Sequence, residues 1–304
     1  MINNILINFP TNLGDVVLGL PTLDLIKANY PSAKITAIAS PQTNTFLSRN
    51  NFIDSIIIFD KAWPMRKKIN FTLSLRRKFE MIVDLKNSFL PVIISPAYRT
   101  PFLRKFPQNM HIKDRYISLV SRFTKKTGTN SDINLTDKEL SKWKELKLQP
   151  SLFIACSSRA GLKQYPYELL KETIDILRGK YPIVILGSEV DRKLYKDILD
   201  LEGIVDLVGK TAIFEVFYLI KAYGRVVLAV DSSILHIASY LNIPTIGLFG
   251  PTDPGRSHPY SDKSIVLQNV GLKCVPCDKP NCELTHKCMD IDPESIVKAV
   301  KRLW

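Results

Sequence analysis

Several absences narrow the reading of this chain first. No apolar run reaches the roughly 18 residues that a membrane-spanning helix needs, and the opening MINNILINFP has no basic stretch leading into an apolar core. Neither a span nor a secretory leader is therefore expected, and a cytoplasmic location follows. No G-x-G-x-x-G turn occurs, which argues against a dinucleotide-binding turn, and H-E-x-x-H and G-x-S-x-G are also missing. These absences remove zinc-peptidase and nucleophile-elbow hydrolase chemistry. Gly209-Lys210-Thr211 looks like the end of a P-loop, but that loop needs glycine at position 204, which is Ile204. ATPase chemistry is set aside on that ground.

Acidic residues are scarce in one stretch only. Residues 61–126 hold 16 Lys/Arg against Glu80, Asp84 and Asp114, which accounts for the whole formal charge of +13, whereas residues 151–304 carry 19 basic and 18 acidic groups. Charge confined to one segment implies a local anionic partner: a phosphorylated substrate, an anionic membrane surface or nucleic acid. The plain alternative is a solvated face without a partner.

What is present is enough for two domains, with 304 residues of which 45% are apolar. Residues 4–9 read as a buried strand, followed by a turn-rich loop to Asp15. Val16, Leu20, Leu23 and Ile26 then fall at helical spacing. Strands are expected at 35–39, 53–59 and 81–85. Residues 124–151 are polar, with Pro150 near the end, and the domain boundary is placed there: 1–150 and 151–304. The alternation restarts with strands at 152–156, 183–186, 226–230 and 245–249 and helices at 167–178, 191–199, 214–222 and 234–241. The expected class is α/β, two doubly wound Rossmann-like domains facing a central cleft, with ligands at the C-terminal ends of the strands.

The polar residues at those strand ends carry the chemistry. Asp15 can accept a proton, or merely cap its helix. Lys163 can neutralise an anion as a point charge, and Ser157 and Ser158 can donate hydroxyl hydrogen bonds, or all three are solvated loop residues. Asp231-Ser232-Ser233 opens a helix whose amides suit an anion, with Asp231 as an N-cap in the bland reading. His236 lies on the first turns of that helix, touching a phosphate or simply packed. Glu189 and Asp191 follow Gly187, and one of the two can hold ribose hydroxyls.

Five segments, in order, resemble one family: Gly14-Asp15-Val16-Val17-Leu18-Gly19-Leu20-Pro21, the third-strand stretch 79–85, Lys163-Gln164-Tyr165-Pro166, Asp231-Ser232-Ser233-Ile234-Leu235-His236-Ile237-Ala238, and Gly250-Pro251-Thr252-Asp253-Pro254. They are similar to glycosyltransferase family 9, the ADP-heptose:lipopolysaccharide heptosyltransferases. The resemblance implies a GT-B fold and inverting transfer of a heptose from an ADP-sugar to an anionic lipopolysaccharide-core acceptor. Asp15 would be the base. Thr11, Gly14, Ser157, Ser158, Lys163, Glu189, Asp191, Thr211, Asp231, Ser232, Ser233 and His236 would serve the donor. The acceptor side would be Arg66, Lys67, Lys68 and Arg104, at a peripheral membrane surface. No cofactor is implied for catalysis and no nucleic acid as partner. Ser233 stands where the family usually has glycine, which crowds the closest amide–phosphate approach. Two other readings stay open: the same fold with a different nucleotide-sugar donor, and a non-catalytic basic protein that binds nucleic acid or membrane.

Of the five cysteines, Cys156 lies in an expected strand and reads as a buried apolar residue, while Cys274, Cys277, Cys282 and Cys288 crowd together near the C-terminus. In a cytosolic protein disulfides are not expected. Four such thiols suit a structural zinc or iron, or stand as reduced thiols in a loop.

Overall fold

The computed structural model of the chain describes residues 2–158, 161–279, 281–282 and 286–304. The chain folds into two compact units, Met1–Asn134 and Leu135–Trp304.

In the first unit the order is β1 (Asn4–Asn8), α1 (Leu13–Asn29), β2 (Lys34–Ala39), α2 (Asn44–Leu47), β3 (Ser55–Ile58), α3 (Met65–Ser74), β4 (Met81–Asp84), α4 (Leu90–Ile94), β5 (Tyr98–Arg99) and α5 (Ile112–Val120). The strands form one sheet in the order β3-β2-β1-β4-β5, every pair parallel. Ile5, Leu6 and Ile7 are fully buried, as a central strand covered on both faces requires. The chain leaves β1 toward β3 and later returns to the other side of β1. Right-handed crossovers running in opposite directions put α1 and the α3–α4 pair on opposite faces. Phe71 of α3 and Leu90 and Ile94 of α4 pack on Leu6, Ile38 and Ile82 of the sheet, while α5 packs along α1. α1 buries residues around most of its circumference, including Gly19, where a Cβ would meet Leu85 Cδ1 at 2.9 Å.

The second unit contains α6 (Asp137–Glu145), β6 (Ser151–Ala155), α7 (Tyr167–Leu177), β7 (Ile183–Ile185), α8 (Arg192–Leu199), β8 (Ile204–Asp206), α9 (Ile213–Tyr223), β9 (Gly224–Val230), α10 (Ser233–Tyr240), β10 (Thr245–Phe249), α11 (Pro254–Ser257), β11 (Ser264–Gln268) and α12 (Pro293–Leu303). Its strands are also all parallel, ordered β11-β10-β9-β6-β7-β8. α12 and α7 pack together, and Ile296 and Val300 of α12 join the core with Leu170 and Ile174 of α7.

The boundary differs from the one expected at 150. α6 lies in the stretch that composition marks as a linker, yet it belongs to the second unit. Its Trp143 is buried and donates from Nε1 to Glu215 Oε1 of α9 at 3.0 Å. A capping box between Thr136 and Glu139 starts the helix. One large aromatic, worth about 3–5 kcal/mol when buried, anchors a helix whose other residues, Leu140 apart, are polar. Among the described residues no helix is long and apolar enough to cross a membrane.

Candidate active site

Open parallel sheets bind ligands where successive crossovers diverge, at the C-terminal ends of the two strands concerned. In the second unit those strands are β6 and β9. After β6 the backbone runs through Cys156, whose thiol burial pushes far up, to a short 3-10 turn, Gly161–Lys163. Tyr165 fixes the end of this loop: it is fully buried, its amide donates to Cys156 O at 3.1 Å, and its hydroxyl donates to Ile291 O at 2.7 Å. Lys163 is thereby held beside the end of β9.

There its Nζ meets Asp231 Oδ2 at 2.6 Å. The other Asp231 oxygen accepts from Ser257 Oγ at 3.3 Å and lies 3.7 Å from His236 Nε2. Burial pushes the Asp231 carboxyl up, but the charges of His236 and Lys163 and its hydrogen bonds outweigh this and hold it below the usual value. Ser232, at the N-cap of α10, makes no side-chain cap bond. The first-turn amides of α10 thus face the same strand ends as Lys163, and such amides stabilise anions. The structure therefore gathers Lys163, Asp231, Ser232, Ser233 and His236. It also adds Ser257, and Thr252 of the loop after β10, whose buried hydroxyl makes no hydrogen bond among the described residues. The Gly250–Pro254 motif was legible, but nothing in its spacing singled out Thr252, and Ser257 carried no signal.

The neighbouring strand ends separate the two acids. Asp191 Oδ2 accepts from Ser157 Oγ at 2.9 Å, Ser188 N at 2.7 Å and Ser188 Oγ at 2.6 Å. Its carboxylate is occupied in tying the turn after β7 to the turn after β6. The Ser157 hydroxyl thus donates a hydrogen bond to Asp191, while Ser158 follows in the same loop. Glu189 pairs with Arg192 Nε at 3.5 Å, has a side chain 73% exposed and lies over Gly209, where a Cβ would clash with its carboxylate and φ is +69°. Glu189, Gly209 and the adjoining Thr211 share the ends of β7 and β8. Lys210, part of the P-loop look-alike, pairs with Asp206 at 2.6 Å.

In the first unit the diverging strands are β1 and β4. Asn8 donates to the fully buried Asp84 at 2.7 Å, and Asp84 also accepts from the Ser88 hydroxyl at 2.7 Å, which locks the two strand ends together. Thr11 and Gly14 flank the turn into α1, and Thr11 O accepts from Ser40 Oγ at 3.1 Å. The N-cap of α1 is Asn12, so Asp15 lies in the first turn, half-buried, 3.4 Å from Asn12 Nδ2. It faces Tyr116 of α5, whose hydroxyl is pushed up by burial and further by the Asp15 carboxylate. Arg66 and Lys67 are exposed on α3, Lys67 over the Trp63 ring at 4.0 Å, and Lys68 is half-buried. Arg104 donates to Ser118 O at 3.0 Å. By the crossover argument, the α3 cations lie on the sheet face opposite α1.

Cys274, Cys277, Cys282 and Cys288 are free thiols that line one pocket with Leu162 and Pro251. Burial and the other three cysteines raise the Cys288 thiol. The amides of Cys277 and Asp278 both donate to Pro251 O at 2.9 Å, joining this loop to the one after β10. Among the described residues no three His, Cys, Asp or Glu side chains are arranged to hold a metal ion.

Comparison with known proteins gives a consistent result. The family model described as Glycosyltransferase family 9 (heptosyltransferase) matches residues 72–288. Lipooligosaccharide heptosyltransferase 2 of Campylobacter jejuni is 25% identical over 320 residues, covering 98% of each chain. Two solved structures share the fold. One is the ADP-heptose lps heptosyltransferase II of E. coli, with a TM-score of 0.77, 21% identity, and coverage of 99% of this chain and 98% of that one. The other is a glycosyl transferase family 9 protein of Veillonella parvula, with a TM-score of 0.80, 19% identity, and coverage of 99% and 97%.

Proposed function

The chain belongs to glycosyltransferase family 9, and from that premise we propose that it transfers a heptose from ADP-heptose to an anionic saccharide-lipid of the lipopolysaccharide core, with inversion at the anomeric carbon. The observation that carries the donor half is the Lys163–Asp231 pair at the start of α10, at 2.6 Å. It sets a cation and a helix amide terminus at the diverging strands of the second unit, the arrangement a departing diphosphate requires. Glu189, exposed where Asp191 is half-buried, takes the ribose hydroxyls, and the backbone at Gly209–Thr211 lies over the base. Ser158, Ser232, Ser233 and His236 complete the phosphate side.

Asp15 of the first unit removes the acceptor proton as the hydroxyl oxygen attacks the anomeric carbon. The bond to the diphosphate breaks on the opposite face, and ADP leaves with its charge held by Lys163 and the α10 amides. Thr11 and Gly14 border this loop. Arg66, Lys67, Lys68 and Arg104 attract the acceptor's carboxylates and phosphates. Lysine and amides suffice for the leaving charge, so transfer proceeds without a divalent cation. The test is transfer from ADP-heptose to a core saccharide acceptor in the presence of a chelator, with the product anomer read by NMR. A retained anomeric configuration, or turnover only with another nucleotide sugar, overturns the reading.

A further inference from the structure

Lys86 is placed unlike the cations of α3. It follows the end of β4 by two residues, on the loop that leaves the divergence of β1 and β4. Its amide donates to Asp84 Oδ1 at 3.2 Å, which fixes the backbone beside the strand end. The side chain is half-buried, and its Nζ lies 5.4 Å from the centre of the Phe59 ring. Phe59 is a firm floor. It packs on the core cluster of Leu6, Ile38 and Ile82, and it stands 5.7 Å from the Trp63 ring and 5.2 Å from that of Phe71. Lys86 therefore reaches over the sheet face that α3 covers. Asp15 borders the same divergence from the β1 side, in the first turn of α1.

A half-buried lysine usually has an internal counter-ion, and Lys86 has a poor one. Among the described residues its ammonium makes no ion pair. The acid that acts on it is Asp84, and both oxygens of that carboxylate are taken. Oδ1 accepts from Asn8 Nδ2 at 2.7 Å and from the Lys86 amide, and Oδ2 accepts from the amide and hydroxyl of Ser88 at 2.6 and 2.7 Å. Burial accordingly pulls the ammonium below its usual value by more than Asp84 raises it. An ammonium so placed gains when an oxyanion arrives, and the aromatic wall beneath it strengthens the attraction.

We propose that Lys86 binds an oxyanion substituent, carboxylate or phosphate, on the saccharide whose hydroxyl is presented to Asp15. The assignment rests on the acceptor half of the function proposed above, and it separates Lys86 from the α3 cations. Arg66 and Lys67 are exposed and screened by salt, whereas a half-buried contact is screened much less. The test is calorimetry of the full chain, with ADP present, against three delipidated core saccharides: the native one, its carboxyl methyl ester and its dephosphorylated form. Lys86→Met keeps the length and apolar stem of lysine and removes the charge, so the thermal midpoint holds or rises. The variant binds the native saccharide about 10- to 100-fold more weakly than wild type. It binds one of the two neutralised forms as well as wild type does, and which form that is separates carboxylate from phosphate. The ADP Kd is unchanged, and the loss persists at about 1 M salt, where the screening length is about 3 Å. Three results overturn the assignment: an unchanged affinity of the variant for the native saccharide, an equal loss for all three saccharides, or a wild type that binds native and neutralised forms alike. Absence of transfer from ADP-heptose with this selectivity intact overturns the enzymatic reading and leaves the oxyanion site standing.

Discussion

The two units share one architecture and use it differently. Each is a parallel sheet whose first strand stands beside the point where crossovers diverge. In the second unit that point is densely connected: Lys163, Asp231, Ser257 and His236 meet within 3.7 Å of the Asp231 oxygens, most of them buried. In the first unit the equivalent turn offers one half-buried carboxylate, Asp15, with Asn12 at 3.4 Å. The lesson is that topology supplies the crevice and side chains decide its use. A fixed, charge-balanced constellation suits a group that must be held. A half-buried carboxylate in the first turn of a helix suits a group that must give up a proton.

The sharpest way to break this contrast is Asp15→Asn. Transfer should fall about 10²–10⁴-fold, the usual contribution of a general base, while ADP affinity by calorimetry stays at the wild-type value. A comparable loss of ADP binding would place Asp15 on the donor. Next comes Lys163→Ala, which should weaken ADP about 10- to 100-fold, as expected for a charge-assisted contact, and leave adenosine binding unchanged. Equal losses for both ligands would remove Lys163 from the phosphates.

Replacing Arg66, Lys67 and Lys68 together by serine should raise the acceptor KM several-fold in low salt, with the difference shrinking as salt screens it. Donor Kd measured in parallel should not move. A shift in donor Kd instead would reverse the roles of the two units. The smallest effect concerns pH. Because the folded Asp231 carboxyl titrates below its unfolded value of 3.8, its contribution to stability is complete above that pH and is lost as pH falls through the folded value. The difference in Tm between wild type and Asp231→Asn should therefore hold steady above pH 4 and narrow by about 2–4 °C below it. A constant difference down to the acid transition would mean that Asp231 gains nothing from its partners.

The sequence revealed elements wherever an apolar run was long enough to bury. β1, β6, β9 and β10 were legible because both faces are covered. β5, with two residues, and β8, with three, are too short to leave a pattern. β11 is only partly buried and shows little alternation. α6 was hidden by its own polarity, since one buried tryptophan does not make a periodic stripe. At the site, Lys163, Asp231 and Asp15 stood out because motif and strand end coincided. The partners of Glu189 and Asp191 were not legible: two residues apart on a 3-10 turn, the first pairs with Arg192 and the second accepts from the Ser157 and Ser188 hydroxyls. The cysteine spacing suggested a metal centre, and the fold brings the four thiols to one pocket while the Cys277 and Asp278 amides tie their loop to Pro251.

If Lys163 holds the departing anion as proposed, its contact with Asp231 also bears on turnover. A lysine whose charge is already balanced inside the protein behaves like a site on an ion-exchange resin. An arriving anion does not find a bare cation; it must displace a resident counter-ion, and its hold is only the margin by which it does so. When that anion departs, the tethered carboxylate returns at once, because it never left the neighbourhood. Such a site loads multivalent anions in preference to monovalent ones, and it regenerates itself after each cycle without waiting for salt from solution.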